Sequence, residues 1–300
     1  MSDTLIGAAF AVLGALCLAV QSLTVRLGTK THRVTDVVAA MFGVNLLVLV
    51  PVAGVVAYPD YGLTPGAVAA FAVAGLLGSL IARFCYFTGI ARLGASRAEP
   101  LKALFPVFAA GVAVVALGES LTLTLAAGVA LLVLGGAVVA FDSRATAATA
   151  SGSRVRAALA YPLAAALFLG IDPIFTKVGL ATGTTPLVGL TVRVVAASLG
   201  YVAYVAWRRW RDGTAWRPRA NRWLLAASVA NTAYLGAYYA ALGRAPVAVV
   251  TPLLGVSTLF VVAGAALFLQ DEERVTPRLG VAAGLADEVA GELRVPPHVV

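Results

Sequence analysis

The sequence predicts an all-α polytopic membrane protein made of two inverted repeats of five helices. The first observation is composition: 60% of the 300 residues are hydrophobic, 12% are charged, and the mean hydropathy is +0.92. A soluble protein of this size would need more polar surface, so lipid must cover much of this chain. The second observation is a series of long apolar segments, and the third is a similarity between the two halves.

Nine apolar segments are long enough to cross a bilayer, whose core of about 30 Å requires roughly 20 helical residues. The first segment follows Asp3 without a basic stretch and ends at Arg26 rather than at a small-residue cleavage site. We therefore predict a transmembrane helix there and not a signal peptide. The predicted spans are residues 4–25, 37–58, 65–90, 96–117, 122–141, 156–180, 186–207, 223–242 and 246–269.

The two halves of the chain align with each other. Residues 15–28 match residues 166–179 without a gap, and residues 100–108 match residues 252–260. An internal duplication explains both matches, and an Ala-, Ser- and Thr-rich stretch separates the halves. The predicted organisation is a first repeat over 1–141, a linker over 142–155, a second repeat over 156–286 and a polar tail over 287–300.

The predicted tenth helix is atypical. It begins at Gly280, which matches Gly128, but acidic and basic residues soon interrupt it. On insertion scales each such residue costs about 2.5 to 3.5 kcal/mol at mid-bilayer. We expect this segment not to cross the membrane, because it contains Asp287, Glu288, Glu292 and Arg294.

Basic residues alternate between loops. They follow the odd-numbered spans, as at Lys30, Arg92 and Arg208, and are missing from the loops after spans two, four and six. The positive-inside rule then places the odd-numbered loops in the cytoplasm and the N-terminus outside. Because each repeat has an odd number of helices, the second repeat is predicted to lie inverted relative to the first.

Three short motifs carry a family resemblance. Residues 89–98 (GIARLGASRA), 106–108 (PVF) and 117–122 (LGESLT) resemble the EamA domain of the drug/metabolite transporter superfamily, and weaker copies occur near 241–243, 260 and 273–276. The resemblance covers residues 4–286. It implies a ten-helix carrier of the cell membrane that exports small metabolites or drug-like compounds by alternating access. Family members usually keep the N-terminus in the cytoplasm, which is opposite to the orientation that the loop charges favour.

Ionisable residues within predicted spans are candidates for function because hydrocarbon disfavours them. Asp172 and Arg193 lie at similar depth, roughly 12 Å from the outer ends of spans six and seven. We predict an ion pair, which is either a substrate or proton site or a static packing contact.

Uncharged polar residues and a further arginine complete the candidate site. Gln21 is the repeat equivalent of Asp172, and Asn45 lies near the equivalent of Arg193. Both are expected to bind substrate or to join helices by hydrogen bonds. Arg83 either meets an anionic group of the substrate or extends toward Glu99. Span eight adds residues that line a cavity or form an interfacial belt: Asn231, Tyr234 and Tyr238.

Other polar residues rank lower. Lys102 and Lys177 lie close to span ends, where they are expected to extend toward the interface. Prolines are expected to interrupt helices at Pro100, Pro106, Pro173 and Pro252.

The sequence contains no catalytic, metal-binding or nucleotide-binding motif, so we predict a protein that is not an enzyme and has no cofactor. The expected partners are a small-molecule substrate, the lipid bilayer, and a proton or sodium ion for coupling. Nucleic acid is not expected, because the excess positive charge is distributed among short loops. Self-association stays open. The alternatives to a carrier are a C-terminally damaged remnant and a membrane-embedded lipid-handling protein.

Overall fold

The computed structural model describes residues 3–117, 152–213, 221–242, 244–245 and 253–269, together with residues 130, 134, 138, 250, 281 and 284. Within these residues the chain consists of helices and their connections. The predicted tail over 287–300, most of the fifth span and residues 142–151 of the linker lie outside the described residues.

The helices follow the predicted spans closely in the first half and at the start of the second. Five stretches are long and apolar enough to cross a membrane: Asp3–Gly28, Val34–Val56, Pro65–Leu93, Ala157–Leu180 and Pro186–Asp212. The described elements are α1 (Asp3–Gly28), α2 (Val34–Val56), α3 (Pro65–Ala74), a π-helix (Gly75–Ala82), α4 (Arg83–Leu93), α5 (Ala95–Lys102), α6 (Phe105–Leu117), α7 (Gly152–Leu180), α8 (Pro186–Asp212), α9 (Arg222–Leu242) and α10 (Ser257–Phe268).

Local sequence signals fix several helix ends. The Thr64 hydroxyl accepts a hydrogen bond from the Ala67 amide at 3.1 Å, and Pro65 occupies the first turn of α3. Both features are typical of helix N-termini. Gly94 adopts φ 94° between α4 and α5, a conformation that only glycine adopts readily. The chain can therefore turn sharply there and start α5 back into the bundle.

The fourth and ninth predicted spans are not continuous helices in the structure. The first of them breaks at residues 103–104, between α5 and α6, and the second breaks at Val256, just before α10. Pro106 explains the first break, because it has no amide hydrogen to bond the carbonyl of Lys102. The two breaks occupy equivalent positions in the repeat alignment, although Thr258 replaces the proline in the second half.

Proline has a different effect in α7. This helix runs without interruption from Gly152 to Leu180 and includes Pro173, where we predicted an interruption. Pro100 likewise lies inside α5. The helix tolerates these residues because a proline removes only one hydrogen bond, and packing against neighbouring helices can hold the backbone in place. Helix α7 also begins at Gly152, a few residues before the predicted start of its span.

The two halves contact each other reciprocally. Helix α1 packs along α9 in the opposite direction, since Gly7 lies against Ala245 and Gly28 lies against Leu224. The equivalent helix of the second half, α7, packs along the unit formed by α3, the π-helix and α4, while α2 packs on α8. Two inverted repeats related by an axis in the membrane plane produce this pattern.

Loop contacts define the two ends of the bundle. At one end Nδ1 of His32 lies 3.1 Å from Nδ2 of Asn221, and Arg26 donates a hydrogen bond to the Ala91 carbonyl at 3.0 Å. This end, which we call the basic end, carries Lys30, Arg33, Arg92 and Arg222. At the opposite end the Thr184 hydroxyl donates to the Gly62 carbonyl at 2.7 Å. The described parts of the basic loops after spans one, three and seven thus share one end, and its location in the cytoplasm stays a prediction.

The outer surface of the bundle is apolar. Large hydrophobic side chains point away from the helix contacts, with Leu47 75%, Val55 79% and Leu199 65% exposed. Polar side chains in the middle of the helices are instead buried, among them Gln21, Asn45 and Asn231. An apolar exterior around a polar interior is the arrangement expected of an integral membrane protein.

Candidate functional site

Asp172 and Arg193 form the predicted ion pair. A terminal nitrogen of Arg193 lies 2.8 Å from Asp172 Oδ2, and both side chains are largely buried. Thr176, one turn after Asp172 on α7, accepts a hydrogen bond from the other terminal nitrogen of Arg193 at 3.3 Å. We call Asp172, Thr176 and Arg193 the ionic centre. Thr176 was not among the predicted site residues, although its spacing of four from Asp172 places both on one face of the helix.

Two glycines of the π-helix allow this close packing. A Cβ atom on Gly78 would lie 2.7 Å from Cγ of Asp172, and one on Gly75 would overlap the carbonyl oxygen of Arg193. Both glycines therefore let α7 and α8 approach the backbone of span three. Short π-helical segments within α-helices occur frequently at functional sites, which fits this position.

Buried amides from both halves form a second centre. The amide nitrogen of Asn45 donates to Asn231 Oδ1 at 2.9 Å, and the amide nitrogen of Asn231 donates to Gln21 Oε1 at 2.9 Å. The Thr232 hydroxyl donates to Asn45 Oδ1 at 2.8 Å. We call Gln21, Asn45, Asn231 and Thr232 the amide centre. It joins α1, α2 and α9, so these residues do form hydrogen bonds between helices.

Arg83 lies beside the amide centre. Its guanidinium donates to Asn231 Oδ1 at 3.4 Å and lies 5.7 Å from the centroid of the Phe42 ring. The suggested contact with Glu99 is wrong, because the Glu99 carboxylate bonds to Ser22, Tyr86 and Lys102 instead. Among the described side chains, Arg83 has no carboxylate partner.

Two tyrosines connect the centres. Tyr234 and Tyr238 follow Asn231 on the same side of α9, and their rings stack with centroids 6.0 Å apart. Tyr234 lies within electrostatic range of Arg83 and Arg193. We call the ionic centre, the amide centre, Arg83 and these tyrosines the central site. Its described charged groups are two arginines and one aspartate, a formal net charge of +2 − 1 = +1.

Two lysines, Lys102 and Lys177, were predicted to extend toward the membrane interface. Lys102 does not extend toward the interface: its ammonium group forms an ion pair with Glu99, whose side chain is 1% exposed. Both charged groups are largely buried, and the low dielectric constant of the bundle interior strengthens their attraction. The Lys177 side chain lies outside the described part of the chain, so its predicted position stays untested.

The described residues contain no group of three or more His, Cys, Asp or Glu side chains that could hold a metal ion. Cys17 and Cys85 are both free thiols, each half-buried on a different helix. The chemistry of the central site is therefore that of charge, amide dipoles and aromatic rings, which suits noncovalent binding of a polar molecule.

Known proteins resemble this chain in sequence and in fold. The family model described as the EamA-like transporter family matches residues 5–141 and 156–286. A solved structure described only as "Crystal structure of protein" shares the fold, with a TM-score of 0.58, 18% identity, and coverage of 97% of this chain and 95% of that chain. No curated protein matches the chain.

Proposed function

Because the chain belongs to the EamA-like transporter family, we propose that it is a secondary carrier that exports a small metabolite or drug-like compound across the cell membrane. Such a carrier is not an enzyme. The observation that carries the proposal is the central site, where polar and charged side chains from both halves meet inside an otherwise apolar bundle.

The reciprocal contacts between the halves support a mechanism of alternating access. In carriers built from inverted repeats, substrate binds at the repeat interface, and the two repeats rock around that site. The central site draws Gln21, Asn45 and Arg83 from the first half and Asp172, Arg193 and α9 from the second. A rotation between the halves would therefore move opposite walls of one site.

The proposed substrate carries an anionic or strongly polar group and an apolar or aromatic part. Within the described part of the chain, Arg83 contacts Asn231 through a long hydrogen bond and lies over the Phe42 ring. An anion can therefore bind it there without displacing a described carboxylate. The stacked rings of Tyr234 and Tyr238 provide an aromatic surface close to Arg193. A substrate anion would also compete with Asp172 for Arg193.

Metabolite profiling of cells that express the chain tests the proposal. Medium and cytosol are compared for the wild type, Asp172→Asn and Arg193→Ala, all expressed to the same level in the membrane. We expect at least one compound to be depleted in the cytosol and enriched in the medium for the wild type, and to return to baseline in both variants. The matched control is Arg208→Ala, which removes an exposed arginine of the basic end.

The pattern among variants decides the outcome. Export that is lost in both central variants and kept in Arg208→Ala supports a carrier with this site. If wild-type profiles equal those of cells without the protein, while the protein purifies as a folded species, the export proposal is wrong. If Asp172→Asn and Arg193→Ala both export like the wild type, the carrier stands and the ionic centre has only a structural role.

A further inference from the structure

A third polar cluster lies near the basic end, separate from the central site. Glu99 on α5 accepts a hydrogen bond from the Tyr86 hydroxyl and forms an ion pair with Lys102. The Ser22 hydroxyl of α1 donates to the same carboxylate at 3.3 Å and lies 2.8 Å from the Tyr86 oxygen. We call Ser22, Tyr86, Glu99 and Lys102 the Glu99 cluster. Three helices thus surround one buried carboxylate.

The cluster lies inside the bundle rather than at its surface. Glu99 is one turn into α5 and Tyr86 is two turns before the end of α4, which places them roughly 6 to 11 Å below the basic end. The Glu99 side chain is 1% exposed, and Lys102 is 18% exposed. A carboxylate at such a position is costly and is commonly retained for ion or proton movement.

We propose that Glu99 is a proton-binding site that couples transport to a proton gradient; this inference rests on the proposed carrier function. A hydronium ion loses one O–H bond and becomes water as its proton forms an O–H bond with the Glu99 carboxylate. The neutral carboxyl no longer forms an ion pair with the Lys102 ammonium group, which keeps its three N–H bonds. The cluster then changes from net neutral to a charge of +1. Release of the same proton to water restores the ion pair.

Lys102 has a second partner that is still present when the ion pair ends. Its ammonium nitrogen lies 4.5 Å from the centroid of the Tyr86 ring, within cation–π distance. Lys102 thus contacts the carboxylate and the aromatic ring at once, and the ring can hold it when the carboxylate is neutral. Arg193 in the ionic centre is instead held by two hydrogen-bond partners of fixed geometry. The Glu99 cluster is therefore better suited to a reversible change of charge.

Few other charged groups face Glu99. Among the described elements, the helices that pack on α5 are α1, α4, α7 and α10. Helix α10 contains no ionisable residue, and α1 and α4 contribute Ser22 and Tyr86. The other charged and tyrosine side chains described on α1, α4 and α7 near these contacts have partners other than Glu99: Arg26, Arg83, Arg92, Tyr161 and Asp172. Arg97 lies on α5 itself.

Helix α1 connects the Glu99 cluster to the central site. Ser22 bonds to Glu99, and the preceding residue, Gln21, accepts a hydrogen bond from Asn231. Adjacent residues of one helix thus face the two sites. A proton at Glu99 would loosen one contact of α1 next to the residue that anchors it to the amide centre. This is a direct physical route from protonation to the position of a wall of the central site.

The oxygen count favours a proton over sodium. The cluster offers the two carboxylate oxygens and the hydroxyls of Ser22 and Tyr86, and Lys102 already occupies the carboxylate. Hard metal cations in proteins usually take about six or more oxygen ligands. A proton needs only one carboxylate oxygen.

Infrared difference spectroscopy of the full chain in liposomes, titrated with pH, tests proton binding directly. We expect the wild type to show a protonated-carboxyl band that appears as pH falls, that Asp172→Asn keeps and that Glu99→Gln loses. Lys102→Met retains the carboxyl and keeps the test valid if Glu99→Gln does not fold. In this variant the band should be retained and appear at higher pH than in the wild type, because the carboxylate has lost its cation.

Several results would overturn the inference. One is a titrating band that persists unchanged in Glu99→Gln. Another is suppression of the band by sodium chloride but not by choline chloride, which would assign the site to sodium.

The compound found by profiling then tests coupling: Glu99→Gln should lose the dependence of export on external pH. Wild-type pH dependence in that variant would reject coupling while leaving the carrier intact. If the wild type exports nothing, both the proposed carrier function and the coupling are rejected. The infrared band would then show only that Glu99 binds a proton.

Discussion

The two halves place different chemistry at the same point of the fold. Gln21 in α1 and Asp172 in α7 are equivalent in the repeat alignment, yet Gln21 belongs to a network of neutral amides and Asp172 to an ion pair. In the same register Phe42 takes the place of Arg193. The duplication thus kept the backbone position, while the side chains diverged into one neutral and one charged centre.

This difference has a physical consequence. Amide hydrogen bonds between helices in a membrane stabilise the bundle modestly and need no further partner. A buried ion pair costs desolvation, and it is kept most readily where the charges act in function or where one partner cannot be lost alone. We therefore expect the amide centre to act mainly on stability and the ionic centre to act on both stability and transport.

Arg193→Ala should have the largest effect on stability. Removal of the arginine leaves Asp172 buried without its cation, which typically costs about 3 to 5 kcal/mol when a buried pair is broken. Unfolding by SDS in mixed micelles measures the change. A decrease in the free energy of unfolding below about 1 kcal/mol would be comparable with the loss of an exposed ion pair. It would show that water screens the ionic centre, and the proposed difference between the two halves would be wrong.

Gly78→Ala should have an intermediate effect. The added methyl group would lie 2.7 Å from Cγ of Asp172, so α7 must shift away from the π-helix. Overpacking of this kind typically costs about 1 to 3 kcal/mol. Gly43→Ala is the matched control, because nothing lies within 4 Å of its added Cβ. Equal stability of the two variants in the same unfolding measurement would argue against tight packing at the ionic centre.

Asn231→Ala should cost no more stability than Gly78→Ala and less than Arg193→Ala. It removes the hydrogen bonds to Asn45, Gln21 and Arg83, and interhelical bonds average about 0.6 kcal/mol each, which suggests roughly 2 kcal/mol. Thr232→Val, which loses one bond to Asn45, should cost about a third of that. A cost for Asn231→Ala larger than that of Arg193→Ala would reverse the assigned roles of the two centres.

Much of the fold was predictable because hydropathy directly reports helices that face lipid. The ends of α1, α2 and α7 lie within a few residues of the predicted spans. The π-helix was not predictable, because no composition rule separates it from an α-helix; the only signal was the close spacing of Gly75 and Gly78. Nor was the break at Val256, where no proline occupies the position equivalent to Pro106.

Contacts in the candidate site were predictable where the charge of two residues and their depth in the membrane were enough to bring them together. Asp172 and Arg193 lie at equal depth in adjacent antiparallel spans, so their contact followed from helix geometry. The direction of Arg83 and the contact of Lys102 with Glu99 could not be predicted in this way. Both depend on how distant helices rotate about their axes, and only the packed bundle sets that rotation.

The double variant Asp172→Asn/Arg193→Gln tests the central claim most directly, because it gives the second half the neutral amide chemistry of the first while retaining hydrogen-bonding side chains. We would measure its stability in mixed micelles and its export rate per folded molecule for the compound found by profiling. The account predicts a folded protein, more stable than Arg193→Ala, that no longer exports. Export at the wild-type rate would contradict it and would make the ionic centre a packing contact.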